Sequence, residues 1–325
     1  MISFGLEATA HTIGIGVVDG KCEVLVNVKD MFTPTIGKGF IPSDLADHHI
    51  AIAPQLLGFV KEKVDLNSVD VIAFSQGMGI PNALKVGATL ARYLSLKWGK
   101  PLIGVNHGVA HIEIGKVKTG ATDPVVVYLS GGNSQILAYA NGKYRVFGET
   151  LDIPIGNALD VLAREMGLQM PGGPEIEILA RNGDFVQLPY VVKGMDISFT
   201  GIMTDAIEKF KEGVSKEAIA YSMQETCFSM LTEVTERALA HTNKKEVLLV
   251  GGVAANKRLQ EIMKIMCDER NAEMHVVPKE YAGDNGLMIA WNGILAYGSG
   301  QKVAIENSGV LQNWRTDEVE IPWLK

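Results

Sequence analysis

Three cysteines, Cys22, Cys227 and Cys267, are all that this 325-residue chain contains, and they lie far apart with no CxxC or other zinc-type spacing. That argues against a disulfide framework and for a reducing, cytoplasmic compartment. Long apolar runs are missing too: none approaches the roughly 20 residues that span a bilayer. The N-terminus has no basic leader and carries Glu7 inside its first strand-like stretch, so no membrane attachment is expected. Basic charge is in deficit, with 30 Lys and Arg against 37 Asp and Glu and a net charge of -7. Such a balance argues against a broad basic face able to hold nucleic acid unaided, and leaves that task to a small patch or a helper subunit. No low-complexity linker occurs. Nor does HExxH, so the glutamate base of a zincin is absent from its required place, and Glu113 falls outside that spacing.

The length is roughly twice that of a typical domain, and with 47% apolar residues it predicts two domains with ample core. Strands are expected over residues 2–6, 13–18 and 23–28, the last two joined by Asp19-Gly20, a hairpin signal. A loop over 33–42 leads to a helix that starts at Pro42 and carries His48 and His49 on its surface. Strand 71–75, helix 83–97 and strand 103–105 continue an α/β alternation. At Val125 the opening pattern begins again, with strands 125–129, 135–140 and 144–147 around the turns SGGNS and Asn141-Gly142. Two such meanders suggest duplicated halves facing each other across a cleft. Helices are predicted over 156–166, 174–181, 201–210 and 216–241. Strand 247–250 runs into GGVAANKRL, and strand 275–277 precedes a helix opened by Gly283-Asp284-Asn285-Gly286. The tail over 312–325 is expected to pack on the body or on a partner.

Residues 106–135 join two candidate sites. His107 and His111 are four apart, so on a helix both imidazoles share a face, about 5–6 Å apart at Cβ, as a common cation requires. Read alone, they account equally well for a helix end satisfying its hydrogen bonds. The SGGN turn reads as an ordinary hairpin using glycine, or as backbone N–H groups open to an anion. EATAHT, SGGNSQ and GGVAAN each follow an apolar strand, the spacing expected when strand ends of two domains grip a nucleotide. Asp160 and Glu177 read as solvated helix carboxylates, and Asp284 as an N-cap or a hard cation ligand.

On the segments GLEATAHTIGIGVV, VIAFSQGMG, GVNHGVAHIEI, VYLSGGNSQILA, FGETLDIPIGNALDVLAREMG, PGGPEIE, KGMDISFTGI, YSMQET, LVGGVAANKRL, DNGLMIA and WRTDEVEIPW, the chain resembles a known family over nearly its whole length. It is similar to the catalytic subunit of the KEOPS complex, the archaeal and eukaryotic branch of the tRNA N6-adenosine threonylcarbamoyltransferases. The resemblance implies an α/β, actin-like ATPase (ASKHA) fold, with residues 1–105 plus about 290–325 in a first domain and 106–289 in a second. It implies that His107, His111, Tyr128 and Asp284 hold one divalent metal ion, Fe2+ before Zn2+. Leu129, Ser130, Gly131, Gly132 and Asn133 would then line nucleotide phosphates, Asn256 would help hold the nucleotide, and Asp160, Gly173 and Glu177 would sit by sugar and base, which reverses the solvated reading. ATP or threonylcarbamoyl-adenylate would occupy the cleft. The implied reaction moves a threonylcarbamoyl group to the adenosine beside the anticodon and releases AMP, with Glu7 and His11 as candidate catalytic proton acceptors. Implied partners are tRNA, a small dimerising subunit and an atypical protein kinase, the last fused to some relatives. Ile80-Pro81, Lys85 and SFTG depart from the commoner family pattern and put loop contacts in doubt more than the ligands. A nucleotide-switched scaffold, a metalloendopeptidase and a sugar or acetate kinase are the competing functions.

Overall fold

The computed structural model describes residues 1–34 and 39–324; residues 35–38, within the expected loop 33–42, lie outside the described residues. The chain opens with an antiparallel meander, β1 (Ile2–Glu7), β2 (Thr12–Asp19) and β3 (Val24–Met31). Then α1 (Pro42–Lys63) leads to β4 (Val71–Gly77), and α2 (Pro81–Trp98) leads to β5 (Leu102–Asn106), with β4 parallel to β1 and β5 parallel to β4. Helix α3 (His107–Thr119) crosses to a second meander, β6 (Val125–Leu129), β7 (Ser134–Ala140) and β8 (Lys143–Glu149). After α4 (Ile155–Glu165) and α5 (Gly172–Ala180) come a small hairpin, β9 (Val192–Lys193) with β10 (Asp196–Ile197), and the helices α6 (Thr200–Lys211) and α7 (Lys216–Thr242). Strand β11 (Glu246–Val250), α8 (Lys257–Glu269), β12 (Glu273–Val276), α9 (Lys279–Ala282) and α10 (Gly286–Gly298) complete the order.

The sheets run β3-β2-β1-β4-β5 and β12-β11-β6-β7-β8. Each is a three-stranded meander extended from its first strand by two parallel strands, so the repeat expected from the turns is a repeat of topology. Asn141 and Gly142 both have positive φ, 52° and 80°, which is the two-residue hairpin turn that Asn-Gly favours. Phe4, Leu6, Ile72 and Phe74 form a core under α2, and Val127, Leu129, Phe228 and Leu231 form the larger core beneath α4 to α8. Each such side chain contributes about 1.5–3 kcal/mol by leaving water. Among the described residues no helix is long and apolar enough to cross a membrane.

Two features of packing position the cleft. Helix α10 lies directly on β1 and β2, and a Cβ at Gly5 would stand 2.3 Å from the Ala290 backbone nitrogen, while one at Gly286 would stand 2.1 Å from that of Gly16. Backbone meets backbone, which fixes the start of α10 and the residues just before it. The tail joins both sheets: Val303, Ile305 and Val310 pack on the first core, whereas Val319, Ile321, Trp323 and Leu324 pack beside Val126 and Leu137.

The expectation that both α1 histidines sit on the helix surface is corrected for His49, which is fully buried. The carbonyl of Ala10 accepts from its Nε2 at 3.0 Å, so its Nδ1 accepts from His48 Nδ1 at 3.1 Å. His48 in turn meets Asp30 at 2.8 Å. An inward carbonyl in the turn after β1 has drawn a polar side chain into the core.

Candidate metal and nucleotide site

Asn106 caps α3 by accepting from the Val109 N–H at 3.1 Å, which makes His107 the first helical residue and sets His111 one turn later. Their rings lie 4.7 Å apart. Asn285 caps α10 by accepting from Met288 N–H at 3.1 Å and donates to the Gly283 carbonyl at 2.7 Å, which holds the Asp284 turn in place. Asp284 Oδ1 lies 3.2 Å from His111 Nε2 and 3.5 Å from His107 Nε2. Three donors from two distant segments therefore converge. Tyr128, near the end of β6, places its ring 5.3 Å from that of His111, and its buried hydroxyl has no hydrogen-bond partner among the described residues. A buried hydroxyl left unpaired costs about 1–3 kcal/mol. That orphan, together with two imidazoles and a carboxylate, is a donor set that fits a borderline divalent cation.

The electrostatics of this cluster are tightly linked. Burial alone would lower His107, but Glu7, then Tyr128 and Asp284, hold it well above the ordinary histidine value. At His111 burial prevails over the Asp284 hydrogen bond and the value falls. Burial would raise Asp284, yet the charge on His107 and the hydrogen bonds from both rings hold it well below the usual carboxylate range. Burial raises the Tyr128 phenol.

Behind the rings, Glu7 Oε2 lies 3.1 Å from His107 Nδ1, and Glu7 Oε1 accepts from the Thr9 N–H at 2.8 Å and its hydroxyl at 2.5 Å. Glu7 is wholly buried. A carboxylate on the outer nitrogen of a ligating histidine fixes which nitrogen faces the metal.

The turn after β6 is built differently. Ser130 Oγ accepts from the N–H groups of Gly132 at 3.2 Å and Asn133 at 3.0 Å, while Asn133 Nδ2 donates to Met78 Sδ at 3.1 Å. A Cβ on Gly131 or Gly132 would meet nothing within 4 Å among the described residues. Below, the turn is clamped: a Cβ on Gly156 would lie 2.6 Å from the Ser130 carbonyl oxygen, and one on Gly251, at φ +91°, 2.2 Å from that of Leu129. The turn is closed beneath and open above.

The open side is a cleft of about 1050 Å³ at the strand ends of both sheets, its wall including His11, His107, Asp160, Glu177, Asn256 and Asp284. Ser130, Gly131, Gly132, Asn133 and Gly173 also line it, whereas Glu7, His111, Tyr128 and Leu129 are not among its lining residues. His11 stacks on Phe40 with ring centres 5.2 Å apart. Asp160 accepts from Gly172 N–H at 2.7 Å, and burial raises its carboxyl. Glu177 accepts from Lys257 N–H at 2.9 Å. Asn256 caps α8 through Arg258 and Leu259, and its Nδ2 donates to Gln224 at 2.6 Å, so its amide is occupied within the protein.

Sequence reasoning missed a further pair lining the cleft, Arg315 and Glu149. Arg315 Nη2 lies 3.2 Å from each Glu149 oxygen, and Glu149 also accepts from Gln135 at 3.0 Å. The polar tail motif WRTDEVEIPW was the available signal, but nothing local shows that it returns to the cleft.

The family profile described as TsaD, tRNA N6-adenosine threonylcarbamoyltransferase, matches residues 22–291. The tRNA N6-adenosine threonylcarbamoyltransferase of Archaeoglobus fulgidus is 55% identical over 99% of this chain and 100% of its own length. A probable bifunctional tRNA threonylcarbamoyladenosine biosynthesis protein of Methanocaldococcus jannaschii is 54% identical over 100% of this chain, which spans 61% of that longer protein. Among solved structures, Thermococcus kodakarensis HypF superposes with a TM-score of 0.61 at 15% identity, covering 91% of this chain and 48% of HypF. The ADPNP-bound activator of 2-hydroxyisocaproyl-CoA dehydratase from Clostridium difficile gives 0.55 at 14% identity, covering 94% of this chain and 100% of the activator. At that identity they show a shared fold, the actin-like ATPase fold expected from the sequence. Matches of this extent to the profile and to full-length relatives show that the chain belongs to the tRNA N6-adenosine threonylcarbamoyltransferase family.

Proposed function

We propose that this chain transfers a threonylcarbamoyl group from threonylcarbamoyl-adenylate to the N6 amine of the adenosine next to the anticodon in tRNAs reading ANN codons. The meeting of His107, His111 and Asp284 beside a glycine turn that faces open space carries the proposal. In the reaction the amine nitrogen bonds to the carbamoyl carbon, the bond from that carbon to the phosphate oxygen breaks, and AMP leaves with the amine proton passing to a base. The protein's task is to position two substrates and to stabilise charge on the departing phosphate.

Residues 130–133 line the phosphates, the Ser130 hydroxyl and the Gly131 N–H serving as donors while the Gly132 and Asn133 N–H groups stay on Ser130 Oγ. Asp160 and Glu177 accept from the ribose hydroxyls. Gly173 leaves room for the base, and Asn256 shapes the wall. Glu7 acts as a positioning residue for His107, and His11, on the cleft wall, is the group we assign to accept the amine proton. A divalent cation, Fe2+ or Zn2+, held by His107, His111, Tyr128 and Asp284, would supply positive charge for the phosphate when bound. We divide the chain into a first domain of residues 1–105 plus about 290–325, whose last residues, 319–324, pack on the second sheet, and a second of 106–289, with the cleft between them.

The net charge of -7 supports dependence on partners for tRNA binding. A KEOPS-type small dimerising subunit and an atypical protein kinase are the partners we assign, and the name of the bifunctional Methanocaldococcus jannaschii relative supports a second activity working beside this one. The setting is the cytoplasm. The test supplies threonylcarbamoyl-adenylate, tRNA and those partners and measures modified adenosine. Wild-type protein is expected to form it and His111→Ala to lose at least a hundredfold in rate. Full modification by the variant would reject the role of the histidine site, and no product from wild-type protein with every partner present would favour a nucleotide-switched scaffold.

A further inference from the structure

A second cluster of ligand-type side chains lies at the other end of β11 from the cleft. Strands β11 and β12 run parallel, with Glu246 opposite Glu273 and Leu248 opposite His275. Side chains alternate faces along a strand, so Glu246, Glu273 and His275 share one face at the edge of the sheet. Their donor atoms lie within 4.8 Å of one another. His275 Nε2 is 3.4 Å from Glu246 Oε1 and 3.7 Å from Glu273 Oε1.

Two observations set this apart from an ordinary ion pair. The His275 side chain is only 10% exposed, yet its Nε2 has no hydrogen-bond partner among the described residues, so it faces the two carboxylates without bonding to either. Carboxylates directly opposite on neighbouring strands repel each other. A cation among the three groups relieves both costs. Around a tetrahedral zinc with bonds of about 2.0–2.1 Å, neighbouring ligand atoms stand about 3.3–3.4 Å apart, and the two distances here fall within a few tenths of that. Glu246 is already held in place, accepting from Thr122 N–H at 3.2 Å, the Thr122 hydroxyl at 2.9 Å and Asp123 N–H at 2.7 Å. The nearby ammonium of Lys244 is engaged by Asp123.

We infer that Glu246, Glu273 and His275 form a second divalent-cation site of the zinc class, which ties the edge strand β12 to β11. The exposed side of Glu273 leaves the fourth position to water. The role is structural and independent of the chemistry in the cleft.

The test uses full-length protein stripped with a chelator, desalted and titrated with Zn2+, with bound metal counted after gel filtration and melting followed in parallel. Wild-type protein is expected to retain two equivalents, His275→Ala one, and His111→Ala one. Zinc should raise the melting temperature of His111→Ala but not of His111→Ala/His275→Ala. Glu273→Gln, a change at an exposed position that leaves the fold intact, should weaken the second equivalent at least tenfold. If wild-type protein held one equivalent and lost it in His275→Ala, the edge site would stand and the cleft site would fall. Equal stoichiometry in wild-type and His275→Ala protein, or unchanged affinity in Glu273→Gln, would overturn the inference.

Discussion

After β1 the chain turns through side chains: Glu7 accepts from both polar groups of Thr9 and reaches His107, while His49 fills the space behind Ala10. After β6 it turns through Gly131 and Gly132, where an added Cβ would meet nothing within 4 Å among the described residues. The two turns hold equivalent places in a duplicated topology and face one cleft. One is filled by side chains that reach His107, and the other is left open above its glycines. The two sheets are similar frames, and the residue types at a single turn in each make them different.

That contrast can be broken from either side. The largest effect is expected at the clamp beneath the open turn, where Gly251→Ala forces a Cβ against the Leu129 carbonyl at positive φ. A loss of about 3 kcal/mol or more should appear in urea unfolding, and a wild-type midpoint would contradict the clamp. Next is Glu7→Gln. Removing the charge behind His107 while keeping the shape should lower metal affinity in the cleft by about 10–100-fold, read by competition with a chelating dye. Gly131→Ala should leave stability within about 0.5 kcal/mol and weaken nucleotide binding by about tenfold, since its methyl enters the space left for phosphate. Calorimetry showing normal affinity would mean that the open turn is merely a hairpin.

The smallest effect concerns pH. Burial lowers His49 to about 4, so between about 6.5 and 4 the unfolded chain binds a proton there that the native protein does not. His49 therefore contributes stability that is present above that window and lost as pH falls through it, about 1 kcal/mol between pH 6.5 and 5.5. His49→Leu should flatten this part of the stability profile relative to wild type. An identical slope in both proteins would remove His49 from the support of the first turn.

Much of this was legible because it is periodic or punctuated. Asp19-Gly20 and Asn141-Gly142 announced both meanders, and the four-residue spacing of His107 and His111 placed their rings on one face. Glu7 was expected to face the cleft and instead lies buried behind the His107 ring, since a strand pattern shows which way a side chain points and not what has folded against it. The same limit hid the inward turn of His49 and the return of Arg315 to Glu149. Asn256 was expected to help hold a ligand, and its amide is bonded within the protein as a cap. Gly5, Gly16 and Gly286 seat α10 and so bring Asp284 to the histidines, a role set by backbone neighbours that no strand or turn pattern specifies.

In the function proposed above, the histidines and the glycine turn form one site rather than two neighbours. This is tested most directly by 31P relaxation of AMP bound to protein loaded with Co2+ in the cleft, using a His275→Ala background. Strong broadening of the phosphorus signal that disappears in His111→Ala, with AMP still bound, is the predicted result. Equal broadening with and without His111, or none in fully loaded protein, would contradict it.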